Sequence, residues 1–128
     1  MKSFLNYSKK IGTNFFLSQG PGGNTSTKIK NKIYIKKSGM YLENSINKDI
    51  FEKVDLAEIR KFYNKNKTNI KYLDSLSIES PIHVLLDEKH VFHYHSISSI
   101  IVSAIMEKNT LNKKLMKDGI IPINYLRP

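Results

Sequence analysis

The feature that most constrains this chain is a pair of short alternating segments around a single asparagine. Lys28-Ile29-Lys30 and Lys32-Ile33-Tyr34-Ile35-Lys36, on either side of Asn31, place every second side chain on one face. A period of two belongs to strands, and the pair predicts a β-hairpin. Small-residue turns flank it, Gln19-Gly20-Pro21-Gly22-Gly23-Asn24-Thr25-Ser26 before and Ser38-Gly39 after. Folding the hairpin carries both turns to one sheet edge, where amides unobstructed by side chains can line a nest for a phosphate. The glycine turn is neither a P-loop nor a dinucleotide fingerprint, because the Lys-Ser/Thr and Gly-x-Gly-x-x-Gly orders are missing.

The remaining elements alternate between helix and strand. Ser3 is positioned to cap a helix through Ile11, with Phe4, Tyr7 and Ile11 as its buried stripe and Gly12 as its end. Phe15-Phe16-Leu17 then reads as a hydrophobic anchor ahead of the glycines. Ile50 to Val54 predicts a strand, and Asp55-Leu56-Ala57-Glu58 a capping box opening a helix through about Tyr63. Asn64 to Asn69 is a polar connector within an Asn/Lys-rich solvent loop from Lys61 to Lys71. Ser77 is placed to cap a helix beginning Ile78-Glu79-Ser80-Pro81, with Glu79 in its first turn and Ile82, Leu85 and Leu86 on its core side. Val91 to His95 predicts a strand, Ser96 to Met106 an apolar helix, Leu111 to Lys117 a shorter helix and Ile120 to Ile123 a last strand. This order indicates an α/β fold.

Composition excludes several classes. The 128 residues suffice for one domain, and no run reaches the roughly 18 apolar residues of a membrane helix. Met1-Lys2-Ser3-Phe4-Leu5-Asn6 lacks a signal-peptide core, so a cytoplasmic protein without membrane contact is expected. The absence of cysteine removes thiolate ligands and leaves His, Asp, Glu or water for any metal. The net charge of +10 rests on scattered lysines, with only Arg60 and Arg127 able to make guanidinium contacts. Together with the Asn and Ile richness this is a compositional bias, not a nucleic-acid surface.

The candidate chemistry lies in Glu79 and, fourteen positions later, His93-Tyr94-His95. Residues two apart in a strand share a face, so His93 and His95 can present imidazoles to one ion while Tyr94 points away. Histidines of a half-buried strand also serve simply as hydrogen-bonded core or surface residues, and Glu79 by itself fits a first-turn acid favoured by the helix dipole. His83 and His90 are taken as structural or exposed. A carboxylate beside a two-histidine arm is nonetheless what proton abstraction next to a carbonyl requires, with a Lewis acid to hold the developing negative charge.

These blocks, in this order, resemble the class II aldolase/adducin family. The likeness runs from Gln19–Ser26 through Ile35-Lys36-Lys37-Ser38-Gly39 and Asp49–Leu56 to Ser77-Ile78-Glu79-Ser80-Pro81-Ile82-His83, Val91–His95 and Pro122–Pro128. It is nearest to a longer, rhamnulose-phosphate-aldolase-like branch. The resemblance implies a three-layer α/β/α sandwich with a largely antiparallel central sheet, a divalent metal, usually Zn2+, and a homo-oligomer with active sites between subunits. It implies that Glu79 is the acid/base, that His93 and His95 are two of three metal ligands, and that Gly23, Asn24, Ser38, Gly39 and Ser77 hold a sugar phosphate. Ile78 stands where simple fuculose-phosphate aldolases carry a second serine. The family's third histidine comes several dozen residues beyond His95. Residues 1–128 are therefore expected to be the N-terminal portion of such a domain, incomplete at the C-terminus, whether as fragment, split gene product or relic. The implied activity is a metal-dependent aldolase-type lyase on a ketose phosphate. An epimerase or dehydratase on the same site, and a non-catalytic adducin-like interaction domain, are the alternatives.

Overall fold

A computed structural model of the chain describes residues 1–64, 74–105, 113 and 115–121. The chain forms two compact units, Met1–His95 and Ser96–Pro128. The first is built on a four-stranded antiparallel sheet of β1 (Asn24–Ile29), β2 (Lys32–Lys36), β3 (Phe51–Asp55) and β4 (His90–His93), in the order β3-β2-β1-β4. The predicted hairpin is its centre, with Ser26 opposite Ile35 and Ile29 opposite Lys32. Its turn places Lys30 at a φ of 54°, a conformation that costs a side-chain-bearing residue some strain.

Helices cover both faces of this sheet. On one, α2 (Leu56–Asn64) and α3 (Ser80–Leu85) join Ile33, Ile35, Val54, Ile59, Leu76 and Val84 in a buried cluster. On the other, α1 (Lys2–Gly12) contributes Phe4 and Leu5 to a cluster with Ile50 and Phe51, against which Tyr34 and Phe92 pack. The layering is α/β/α, as the family resemblance implied. Asp55 ends β3 and caps α2, its carboxylate accepting from the amides of Ala57 and Glu58 at 3.0 Å each.

Several local expectations are corrected. β1 begins at Asn24, four residues before the apolar alternation, because Thr25 and Ser26 find polar partners on opposite faces. Ser8 Oγ lies 2.9 Å from Thr25 Oγ1 on the α1 side, and His83 Nδ1 lies 2.9 Å from Ser26 Oγ on the α3 side. α1 has no side-chain cap from Ser3, and its buried stripe is Phe4, Leu5 and Ser8, whereas Tyr7 is exposed. The Ser8–Thr25 contact turns the helix to that face. Phe15 and Phe16 are about two-thirds exposed, stacked edge-on against each other, so they do not anchor the loop in a core.

Helix α3 starts at Ser80, which leaves Glu79 as its N-cap residue just outside the first turn. The helix also faces opposite to expectation. Ser80, His83 and Val84 are buried while Ile82, Leu85 and Leu86 are exposed, because the buried imidazole of His83 reaches Ser26. β4 ends at His93, with Tyr94 and His95 beyond it. β3 starts at Phe51, after a 3-10 turn Lys48–Ile50.

The second unit contains α4 (Ile97–Ile105), with Ile100 and Ile101 exposed, and helical residues at 113 and 115–117. Ile120 and Ile121 are not in a strand. The expectations for 65–71, the end of the apolar helix at Met106, and the closing block 122–128 lie outside the described residues. No described helix is long and apolar enough to cross a membrane.

Candidate active site

The site forms where the end of β4, the glycine loop and the entry to α3 meet. Asn24 and His93 are cross-strand partners, so the first residue of β1 and the last of β4 carry the glycine loop alongside the histidine arm. Gly23, at a φ of 73°, is required there, since a Cβ would come within 3.0 Å of the His93 carbonyl. A Cβ on Gly22 would likewise meet His95 Nδ1 at 3.0 Å.

His95, having left the ladder, is held by other means. Its amide donates to Leu17 O at 2.8 Å, and Gln19 Nε2 donates to its carbonyl at 3.3 Å and also to Phe15 O. The two imidazoles therefore still converge, with ring centroids 5.0 Å apart, although only His93 is in a strand.

Glu79 closes the group. Its Oε2 lies 3.0 Å from His93 Nδ1 and its Oε1 3.8 Å from His95 Nε2. One ligand atom from each of Glu79, His93 and His95 falls within 4.8 Å of the other two, a set that could hold a metal ion. The donors fit a divalent cation of zinc's type, which accepts imidazole nitrogen and carboxylate oxygen. His93 Nδ1 is buried and faces the Glu79 carboxylate at 3.0 Å without hydrogen-bond geometry, and among the described residues it has no other polar partner. A buried nitrogen in that state is stabilised by an ion it can ligate.

Beside this group opens a cavity of about 380 Å³ lined by residues that include Gly23, Ser38, Gly39, Ser77 and Glu79. Four of the five expected phosphate residues therefore line one cavity, together with the acid/base candidate. Asn24, the fifth, is fully buried and donates from Nδ2 to Ser77 Oγ at 2.7 Å. Ser77 Oγ also accepts the Glu79 amide at 3.3 Å, which leaves its hydroxyl proton for a ligand. The amides of Ser38 and Gly22 are committed to Ser75 O and Gln19 O, so Ser38 can offer only its hydroxyl. Ile78 stands at the cavity 95 % exposed.

Two buried basic side chains lie close to this group. Lys36 lines the cavity at 2 % exposure, and burial pushes its ammonium below the usual lysine range while the charge of Glu79 opposes that shift. Lys36 has no role of its own among the sequence-based expectations. The available signal is a lysine two residues before a Ser-Gly turn, at the end of a strand in the sheet centre. His83 is pushed down to about 4, first by burial and next by His93, and so is neutral at pH 7. It is a buried structural histidine, and the exposed His90 stacks on Phe4 at 5.7 Å.

The family model described as Class II Aldolase and Adducin N-terminal domain matches residues 4–127. Among solved structures, the chain is similar to the N-terminal class II aldolase domain of a conserved protein from Thermoplasma acidophilum. The TM-score is 0.71 at 24 % identity, over 88 % of this chain and 62 % of that one. It is also similar to L-fuculose-1-phosphate aldolase from Thermus thermophilus, with a TM-score of 0.57 at 20 % identity over 83 % of this chain and 53 % of that one. The chain thus spans less than two-thirds of either structure. At these identities the likeness speaks to fold. A comparison with curated proteins found no match.

Proposed function

The chain belongs to the class II aldolase and adducin N-terminal domain family, and from that membership we propose that it carries the acid/base and metal-binding part of a metal-dependent aldolase-type lyase acting on a ketose phosphate. The observation that carries this reading is the position of Glu79. It lines the glycine-loop cavity and also touches both histidines, so a substrate held by its phosphate would present its carbon skeleton to carboxylate and metal together.

In this reading Gly23, Gly39 and the hydroxyls of Ser38 and Ser77 hold the phosphate, and Asn24 sets the orientation of Ser77. A divalent cation, Zn2+ by the nature of the donors, would be held by His93 and His95 and would supply Lewis-acid stabilisation of negative charge. Glu79 accepts the proton from the carbon next to the ketone in the condensation direction and returns it to that carbon in the cleavage direction, where the carbon–carbon bond breaks. Its partial burial and its place just ahead of α3 keep the carboxylate oriented toward the cavity. The family fold suggests a homo-oligomer as the working form. The retained group of Glu79, His93 and His95 favours an enzyme over a purely adducin-like interaction module.

The test is proton exchange. Zinc-loaded protein incubated with dihydroxyacetone phosphate in D2O should incorporate deuterium at the carbon next to the ketone. Glu79→Gln should slow incorporation by about a hundredfold or more, the usual scale for a lost general base. Equal rates in the two proteins would remove Glu79 from the role. An epimerase or dehydratase would be recognised by product analysis on ketose phosphates, since no aldehyde would form.

A further inference from the structure

Lys36 presents a paradox for a cavity meant for an anion. Its side chain is almost wholly buried, and its ammonium donates to Met40 O at 2.7 Å, Pro21 O at 3.0 Å and Lys37 O at 3.4 Å. An ammonium has three donors, and three carbonyls take them all. These carbonyls belong to two different walls of the cavity. Pro21 lies in the glycine loop, while Lys37 and Met40 bracket the Ser38–Gly39 turn. A methionine could occupy much of the same space without the desolvation cost of a buried charge, so stability alone gives little reason for a lysine here.

We propose that Lys36 is a positioning residue, a brace that ties the glycine loop to the Ser38–Gly39 turn and so fixes the width of the cavity. It acts on an anion through the loops it holds, without contacting the anion directly. Its backbone takes part as well, because Asn24, which orients Ser77, also donates to Lys36 O at 3.3 Å. One residue thereby meets three parts of the cavity wall. The geometry of the brace stands by itself. Its purpose rests on the reading of the cavity as a phosphate site.

The experiment uses Lys36→Met with two measurements. The first is amide hydrogen exchange without ligand at Gly22, Ser38 and Met40, whose amides are hydrogen-bonded to Gln19 O, Ser75 O and Lys37 O. Loss of one hydrogen bond to a charged group corresponds to about tenfold or more, so exchange at these amides should accelerate by at least that factor while Ile33 and Ile35 in the sheet stay protected. The second is titration with inorganic phosphate followed by amide chemical shifts. In the unaltered protein Gly23 and Gly39 should respond with a single Kd, and in Lys36→Met that Kd should rise by about tenfold or more, with the two loops responding unequally. Unchanged exchange together with weakened phosphate binding would identify Lys36 as a direct phosphate ligand and overturn the brace. Unchanged exchange and unchanged binding would overturn it as well. If the unaltered protein shows no response to phosphate, the cavity reading fails, and the exchange result still decides the brace. Should Lys36→Met not fold, Lys36→Gln, which keeps part of the donor set, is scored by the same two measurements.

Discussion

Acidification should destabilise this protein through one buried imidazole. His83 is fully buried, its Nδ1 2.9 Å from Ser26 Oγ, and burial with the neighbouring His93 pushes its pKa from 6.5 to about 4. Between those two values the unfolded chain binds a proton that the folded protein refuses, so stability is complete above about pH 6.5 and is lost as pH falls toward 4. With each pKa unit equal to about 1.4 kcal/mol, the linkage removes about 2 kcal/mol between pH 7 and pH 5, and about 3 kcal/mol by pH 4. The assay is urea unfolding of metal-free protein in chelator at pH 7, 6 and 5, beside His83→Gln, whose amide can still meet the Ser26 hydroxyl but does not titrate. The difference in unfolding free energy between the two proteins should shrink by about 2 kcal/mol from pH 7 to pH 5. Parallel stability curves over that range would refute the argument, since the other carboxylates and histidines are common to both proteins.

Two substitutions probe the scaffold beneath the site. Gly12→Ala would drive a Cβ into Glu43 N and Leu42 C, both backbone atoms that no rotamer change can move aside, and should cost about 3 kcal/mol in denaturant unfolding. Ile35→Ala, at a fully buried position of the central hairpin, should cost about 2–5 kcal/mol by the same measurement.

The hairpin and its flanking turns were legible because the period-two alternation of Lys32 to Lys36 needs no tertiary information. The Asp55 cap was legible for a similar reason, since a capping side chain acts on amides two and three residues away. Asn24 to Thr27 does not read as strand in the sequence, because polar residues suit a core strand only with partners to hand, and Ser77, Ser8 and His83, which serve Asn24, Thr25 and Ser26, are distant in sequence. The buried face of α3 is hidden in the sequence for the same cause. Ile82, Leu85 and Leu86 look like a core stripe, yet the helix buries the polar His83 instead. At the site, the residue types identified Glu79, His93 and His95, and a strand through His95 was the expected means of bringing the imidazoles together. The structure achieves it with β4 for His93 and with Leu17 and Gln19 for His95. Lys36 does not stand out in the sequence, because in a lysine-rich chain one buried ammonium has the same appearance as an exposed one.

The metal site is probed most directly by a zinc-binding titration of metal-free protein against a chromophoric chelator, run on the unaltered chain and on His93→Ala. One zinc ion should bind per chain, with affinity falling by about a hundredfold or more when the imidazole is removed and the fold retained. Equal zinc stoichiometry and affinity in the two proteins would contradict the assignment of His93 as a ligand, and with it the metal-assisted chemistry placed beside Glu79.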